Sequence, residues 1–306
     1  MLSGQHLANC DILTGEIIMN DFVIITDSGC DLSPATLAEW GVPYETLTFR
    51  FDGDEKEYTN SEMSSAEFYA KMREGGIAKT AAVNSETFKT LFEKSLSEGH
   101  DVLYIGFSSG LSTTFNSGRM AALELAEKYP ERKILAVDTL AASAGQGLIL
   151  YFALEKKKSG ATIEEVAAYV DDVKFKTSIW FTVDDLVYLK RGGRVSPTVA
   201  FVGNMLGIKP VLHMDNEGHL INVSKVRGRK AAIMALADKF GALNTNPTQD
   251  TVFISHGDCI NDAKELARIL NEKYGATTKI ITDVGPVIGA HSGPGTLALF
   301  FAGKER

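Results

Sequence analysis

Short, wholly apolar runs alternate with stretches whose apolar positions recur every three to four residues, and this alternation governs the chain to about residue 176. The run at 22–26, with Val23, Ile24 and Ile25, predicts a strand ending in Asp27-Ser28-Gly29. Ser33-Pro34 then opens a helix, with proline in the first turn where its missing N–H costs nothing. A second strand is predicted at 42–51. Ser64 and Glu67 form a capping box for a helix carrying Phe68, Tyr69 and Met72, which stops at Gly75-Gly76. A further helix over 85–98 gathers Phe88, Leu91, Phe92 and Leu96 on one face. Strand 102–107, a helix over 113–128, strand 134–137 and a helix after Ala141 follow in turn. Buried strands alternating with amphipathic helices predict a mostly parallel sheet covered on both faces.

The pattern changes near residue 176. A helix over 162–175 precedes the strand-like run 178–183 and a short helix ending in Lys190-Arg191-Gly192-Gly193-Arg194. Strands at 208–214 and 219–226 flank Asp215-Asn216-Glu217-Gly218, a hairpin signal. Helix 229–241, strand 252–255, helix 261–273 and strand 279–283 complete the series. The predicted class is α/β: a parallel-sheet unit over 21–176 and a smaller α+β unit over 177–306. No repeat or linker-like tract separates them, so the two are predicted to lie close together. Residues 1–20 show no regular pattern and read as an N-terminal arm, an upstream start or an expression remnant.

The chain has 306 residues, a net charge of −8 and 23% charged residues. That balance argues against a general nucleic-acid binder, whose affinity rests on neutralising phosphates. Three distant cysteines, Cys10, Cys30 and Cys259, suit a reducing cytoplasm better than a disulfide framework. The apolar stretch ending at Leu154 is too short to span a bilayer, and the first twenty residues lack the features of a signal peptide. A cytoplasmic protein without a membrane segment is the expectation.

Between Ser108 and Ser117 six of ten residues carry hydroxyls, directly after an apolar strand and at the start of a helix. A helix start offers unpaired N–H groups and a positive dipole end, so this segment is suited to hold a negatively charged oxygen. Gly106-Phe107-Ser108-Ser109-Gly110 also fits the G-x-S-x-G pattern of a hydrolase, with Ser108 as nucleophile and His256 or His291 as base. A serine esterase is therefore the alternative reading. A polar helix cap is the plainer account of the same residues. Gly293-Pro294-Gly295 resembles a dinucleotide fingerprint, but the acidic residue required ~20 positions later has no place before Arg306. No P-loop motif occurs, and the six histidines show no zinc-like spacing, which argues against a metal site. His291, set among small residues, is a candidate for close approach to a ligand. Arg191, Arg194, Arg227 and Arg229 lie in two basic clusters that suit docking of an acidic or phosphorylated partner.

Several separated blocks together resemble the DegV family of bacterial fatty-acid-binding proteins. They are Thr26-Asp27-Ser28 with Asp31-Leu32, Ser108-Ser109 with Leu111-Ser112, Val137-Asp138-Thr139 through Gly145-Gln146-Gly147, and Lys190 to Val195. Gly203 to Leu206 with Ile208-Lys209-Pro210, Lys225-Val226-Arg227, and His291 before Gly293-Pro294-Gly295 complete the set. The resemblance implies two domains with one long-chain fatty acid in a tunnel between them and no other cofactor. It implies that Thr80, Ser112 and His291 hold the carboxylate, with Ser109 beside them. It also implies a carrier rather than an enzyme, which presents the acid to a separate fatty-acid kinase for acyl-phosphate formation and phospholipid synthesis. Two departures are visible: Thr80-Ala81-Ala82-Val83 lacks the usual Ser and Pro after the Thr, and Thr113 stands where Gly is usual.

Overall fold

The computed structural model describes residues 22–195, 207–245 and 251–306. The N-terminal arm and the Gly203–Leu206 block lie outside the described residues. The first layer is a parallel sheet in the order β2-β1-β6-β7, formed by β1 (Phe22–Asp27), β2 (Tyr44–Glu45), β6 (Asp101–Gly106) and β7 (Ile134–Asp138). Successive side chains of a strand face opposite ways, and the two faces separate cleanly. Ile24, Leu103 and Ile105 join one core with α5 (Ala144–Lys158) and α6 (Ile163–Val173). Ile25, Val102 and Tyr104 join another with α3 (Ser85–Ser97) and α4 (Thr114–Lys128). The parallel sheet is thus covered on both sides, as its unbroken apolar strands require.

The stretch predicted as one strand at 42–51 is two: β2 closes the parallel sheet, and β3 (Thr48–Phe51) leaves it. With β4 (Tyr58–Thr59) and β5 (Ala78–Ala81), β3 forms a small antiparallel sheet in the order β4-β3-β5. Leu47 lies at the switch, its N–H donating to Ser28 Oγ at 3.0 Å. A continuous apolar pattern cannot reveal a strand that changes sheets.

A six-stranded sheet, in the order β10-β9-β8-β13-β11-β12, occupies the second half. It comprises β8 (Thr177–Thr182), β9 (Ile208–Met214), β10 (Leu220–Arg227), β11 (Val252–His256), β12 (Thr278–Asp283) and β13 (Leu297–Ala302). All neighbours run antiparallel except β11 and β12. Helices α8 (Arg229–Leu243) and α9 (Ile260–Tyr274) pack on its outer face around Phe240, Leu266 and Phe301. Its inner face meets α5, where Phe253 and Phe300 share one core with Ile149 and Leu148. Close approach here depends on Gly145, since a Cβ at that position would lie 2.8 Å from the Phe300 ring. The remaining α-helices among the described residues are α1 (Pro34–Glu39), α2 (Ser65–Arg73), α7 (Val187–Gly192) and α10 (Pro286–Ser292). Among the described residues no helix is long and apolar enough to cross a membrane.

Candidate functional site

The carboxyl ends of β1, β6 and β7 are tied together by polar groups. Asp27, fully buried, accepts from Tyr104 Oη at 2.7 Å, the Phe107 N–H at 2.9 Å, the Gly29 N–H at 2.9 Å and Gln146 Nε2 at 3.2 Å. Burial raises its carboxyl above the ordinary value, and these four contacts oppose the rise. Thr139 Oγ1 donates to the Gly106 carbonyl at 2.8 Å, bridging β7 and β6. The Asp27 and Thr139 contacts fix the backbone between β6 and α4, where the hydroxyl-rich segment lies.

Ser108 belongs to that framework. Its side chain is buried, donates to the Gly218 carbonyl at 3.0 Å and accepts from the Gly110 N–H at 3.2 Å. It thereby anchors the β9–β10 hairpin turn against the parallel sheet. A nucleophile elbow requires a strained serine at the junction with a helix, whereas Ser108 has negative φ and α4 begins only at Thr114. Among the described residues no histidine nitrogen bonds to it. Of the two proposed bases, His256 points Nδ1 toward Asp283 Oδ1 at 3.5 Å, with burial lowering its pKa, and His291 turns Nε2 to Thr80 Oγ1 at 2.8 Å. The esterase geometry is therefore not assembled.

A cavity of about 500 Å³ lies between the loops that follow β6 and β7 and the inner face of the six-stranded sheet. That volume falls in the roughly 300–1,000 Å³ range of pockets enclosing small-molecule ligands. Thr80, Ser109, Ser112 and His291 all line it, although three separate segments deliver them: β5, the loop between β6 and α4, and α10. Thr80 comes from the edge strand β5, and its Oγ1 lies 2.8 Å from His291 Nε2 on α10. Ser112 stands just before α4, where its Oγ accepts from the Thr114 N–H at 3.2 Å and meets Thr114 Oγ1 at 2.9 Å. Ser109 is exposed at the rim, with its N–H 3.3 Å from both carboxylate oxygens of Asp138.

Arg194 lines the same cavity. Its Nε donates to the Leu111 carbonyl at 3.1 Å, one residue before Ser112. The four arginines thus have different surroundings: Arg191 and Arg227 are exposed, whereas Arg194 and Arg229 are half-buried. Arg229 Nε pairs with Asp262 Oδ2 at 2.8 Å, and its Nη1 is 3.6 Å from Asp184. Burial, and secondly the Arg194 charge, push the His291 pKa down to about 4, so the imidazole is neutral near pH 7. Sequence reasoning missed Ser292. It is buried, lines the cavity, and its Oγ has no hydrogen-bond partner. Such an orphan inside a cavity marks a place for a ligand's polar group. Its only signal was adjacency to His291.

Thr80, Ser112, Arg194 and His291 are all partly exposed. The buried part of the lining is mostly apolar, with Ile179 and Phe181 of β8, Ala298 and Phe300 of β13, and Phe107, and it also holds the hydroxyls of Ser143, Ser255, Ser292 and Thr296. Such a surface suits an amphiphile with an anionic head and a hydrocarbon tail. No group of His, Cys, Asp and Glu among the described residues could hold a metal ion.

Comparison with known proteins agrees with the form of this site. The chain matches the family model described as "Uncharacterised protein, DegV family" over residues 21–304. A DegV domain-containing protein of Clostridium perfringens is 43% identical over 289 residues, covering 94% of this chain and 99% of the relative. A fatty acid-binding protein of Thermotoga maritima is 38% identical over 244 residues, covering 78% of this chain and 82% of that one. Among solved structures, a DegV family protein of Thermus thermophilus described for its fatty acid binding superposes with a TM-score of 0.82 at 28% identity, covering 92% of this chain and 98% of that one. With the family model matched along nearly all of its length and the Clostridium perfringens relative aligned almost end to end, this chain belongs to the DegV family.

Proposed function

We propose that this protein binds one long-chain fatty acid, with the tail in a tunnel between the 21–176 and 177–306 units and the carboxylate at Thr80, Ser112 and His291. The observation that carries this reading is that one cavity is lined both by partly exposed hydroxyls, an imidazole and a guanidinium and by buried hydrocarbon. Arg194 joins the head-group set as the nearby positive charge, and Ser109 stands at the rim. Each charge-assisted hydrogen bond to the carboxylate contributes about 1.5–3 kcal/mol. Each buried methylene contributes about 0.8 kcal/mol, so a long tail dominates affinity while the polar end fixes orientation.

In this orientation the carboxylate faces the accessible side, where a second protein can reach it. We assign the chain a carrier role in the cytoplasm, presenting the acid to a separate fatty-acid kinase and performing no phosphoryl chemistry itself. Exposed Arg191 supports that role: it lies next to Gly192, which packs against the His291 ring. Native mass spectrometry of the purified chain tests the binding step directly. A co-purifying mass that is released on denaturation, and identified as a fatty acid in the extract, supports the reading. A chain of bare polypeptide mass that takes up no added oleate overturns it. Transfer is tested by incubating loaded protein with a fatty-acid kinase and ATP and following acyl-phosphate formation.

A further inference from the structure

The row of side chains that β8, β13 and β11 turn toward the cavity contains one hydroxyl. Phe181, Ala298 and Ser255 are ladder neighbours on β8, β13 and β11, and all three face the cavity. Ser255 brings a hydroxyl into this row. Its Oγ lies 2.9 Å from Ser143 Oγ, and Ser143 Oγ lies 2.6 Å from Asp31 Oδ2. Ser143 lines the cavity as well, and all three residues are more than nine-tenths buried. Three polar side chains in series beside a hydrocarbon wall carry a desolvation cost that an alanine or valine at 255 would avoid.

Ser143 is held there against its local preferences. It has φ 55° and ψ −149°, a region that residues other than glycine rarely enter. It is also the N-cap residue of α5, yet its hydroxyl makes no capping hydrogen bond and is committed to Asp31 instead. Asp31 is itself left-handed, at φ 50°. Two strained residues therefore aim one chain of hydrogen bonds toward Ser255.

The direction of that chain is set when Asp31 is ionised, above the value of about 7 to which burial raises it. An ionised carboxylate only accepts, so Ser143 donates to Asp31 and Ser255 donates to Ser143. What remains toward the cavity is lone pairs on Ser255. The complementary ligand group is a donor; a methylene leaves the acceptor unsatisfied, and a ketone sets acceptor against acceptor.

We propose that Asp31, Ser143 and Ser255 form a second polar subsite that takes a hydroxyl carried within the acyl chain, so that the preferred ligands include hydroxylated long-chain fatty acids. This rests on the fatty-acid reading of the cavity and adds a specificity to it.

Delipidated protein titrated by calorimetry at pH 8.5 tests it, with stearate, a positional series of monohydroxystearates and the matching ketostearates. That pH stands above the value of about 7 to which burial pushes Asp31. One hydroxy isomer is expected to bind about fivefold more tightly than stearate, and its ketone less tightly than stearate. In S255A the ratio of hydroxystearate to stearate affinity falls to one or below. D31N provides a second handle: its amide can donate to Ser143, turn the chain around and shift preference from hydroxy to keto acid. If every hydroxystearate binds the wild type more weakly than stearate, with the same ratios in both variants, the three residues only tie the sheets together and the proposal fails. If stearate and all the substituted acids fail to bind, the fatty-acid reading itself has failed.

Discussion

Thr80 and His291 are 211 positions apart in the chain, and their side chains meet at 2.8 Å in the cavity lining. One sits on a short edge strand of the small antiparallel sheet, the other near the end of α10. The contact therefore forms only when the two halves of the chain are assembled. Thr80→Val keeps the shape and removes the hydroxyl. Oleate affinity is expected to fall about 10-fold or more, since a hydrogen bond to a charged group contributes about 1.5–3 kcal/mol. Calorimetric titration measures this, and unchanged affinity would remove Thr80 from the head-group set.

Gly192 makes room for the imidazole. A Cβ at this position would lie 2.2 Å from His291 Nδ1, far inside any real contact. Gly192→Ala should displace the ring from Thr80 and weaken oleate binding while the overall fold persists. Retained affinity, with the His291 ring signals unshifted by NMR, would show that the ring is not displaced and the prediction fails.

The pH response of the lipid-free protein carries the signature of His291. Its pKa is held at about 4, below the ordinary 6.5, so between those values the unfolded chain binds more protons than the native one. Stability contributed by the neutral ring is lost as pH falls from 6.5 toward 4. Asp31 acts oppositely: raised from 3.8 to about 7, it costs stability as pH rises through that interval. The informative quantity is therefore a difference. Between pH 7 and pH 5, wild type should lose about 1–2 kcal/mol more than His291→Gln in urea denaturation. Parallel curves for the two proteins would place the His291 pKa near its ordinary value.

Asp27 accepts two hydrogen bonds at each carboxylate oxygen. In Asp27→Asn, either orientation of the amide turns an NH2 group toward two donors. A loss of at least about 2 kcal/mol is expected, with Tyr104 and the Phe107 backbone the first to loosen. Thermal denaturation checks the size, and hydrogen exchange at Phe107 checks the place.

The tail length admitted by the cavity should respond to Ala298, whose side chain lies on the sheet face between Phe181 and Ser255. Ala298→Leu fills part of the space occupied by the tail. Retention of the longest acids should fall while shorter ones are kept, as read by the mass distribution of lipids bound from a mixture. An unaltered distribution would place the tail elsewhere.

The chain's own pattern determined the parallel layer and most of its helices, because short-range periodicity and capping residues act within a few positions. Ser64, Thr162 and the Asp215–Gly218 turn announce their elements locally. The same was not true of 284–302, a stretch of small and apolar residues that fits strand or helix equally. It folds as α10 and then β13, which runs antiparallel in the middle of the six-stranded sheet. Only pairing with β8 and β11 decides that conformation. Thr80, Ser109, Ser112 and His291 were legible as candidates through family blocks and composition, but their grouping around one cavity depends on how two sheets face each other across α5. The place of Arg194 in the cavity, Ser292 and the Asp31–Ser143–Ser255 series were beyond reach for the same reason. Local sequence sets which conformations are cheap, whereas burial and partners hundreds of positions away determine which side chains share a space.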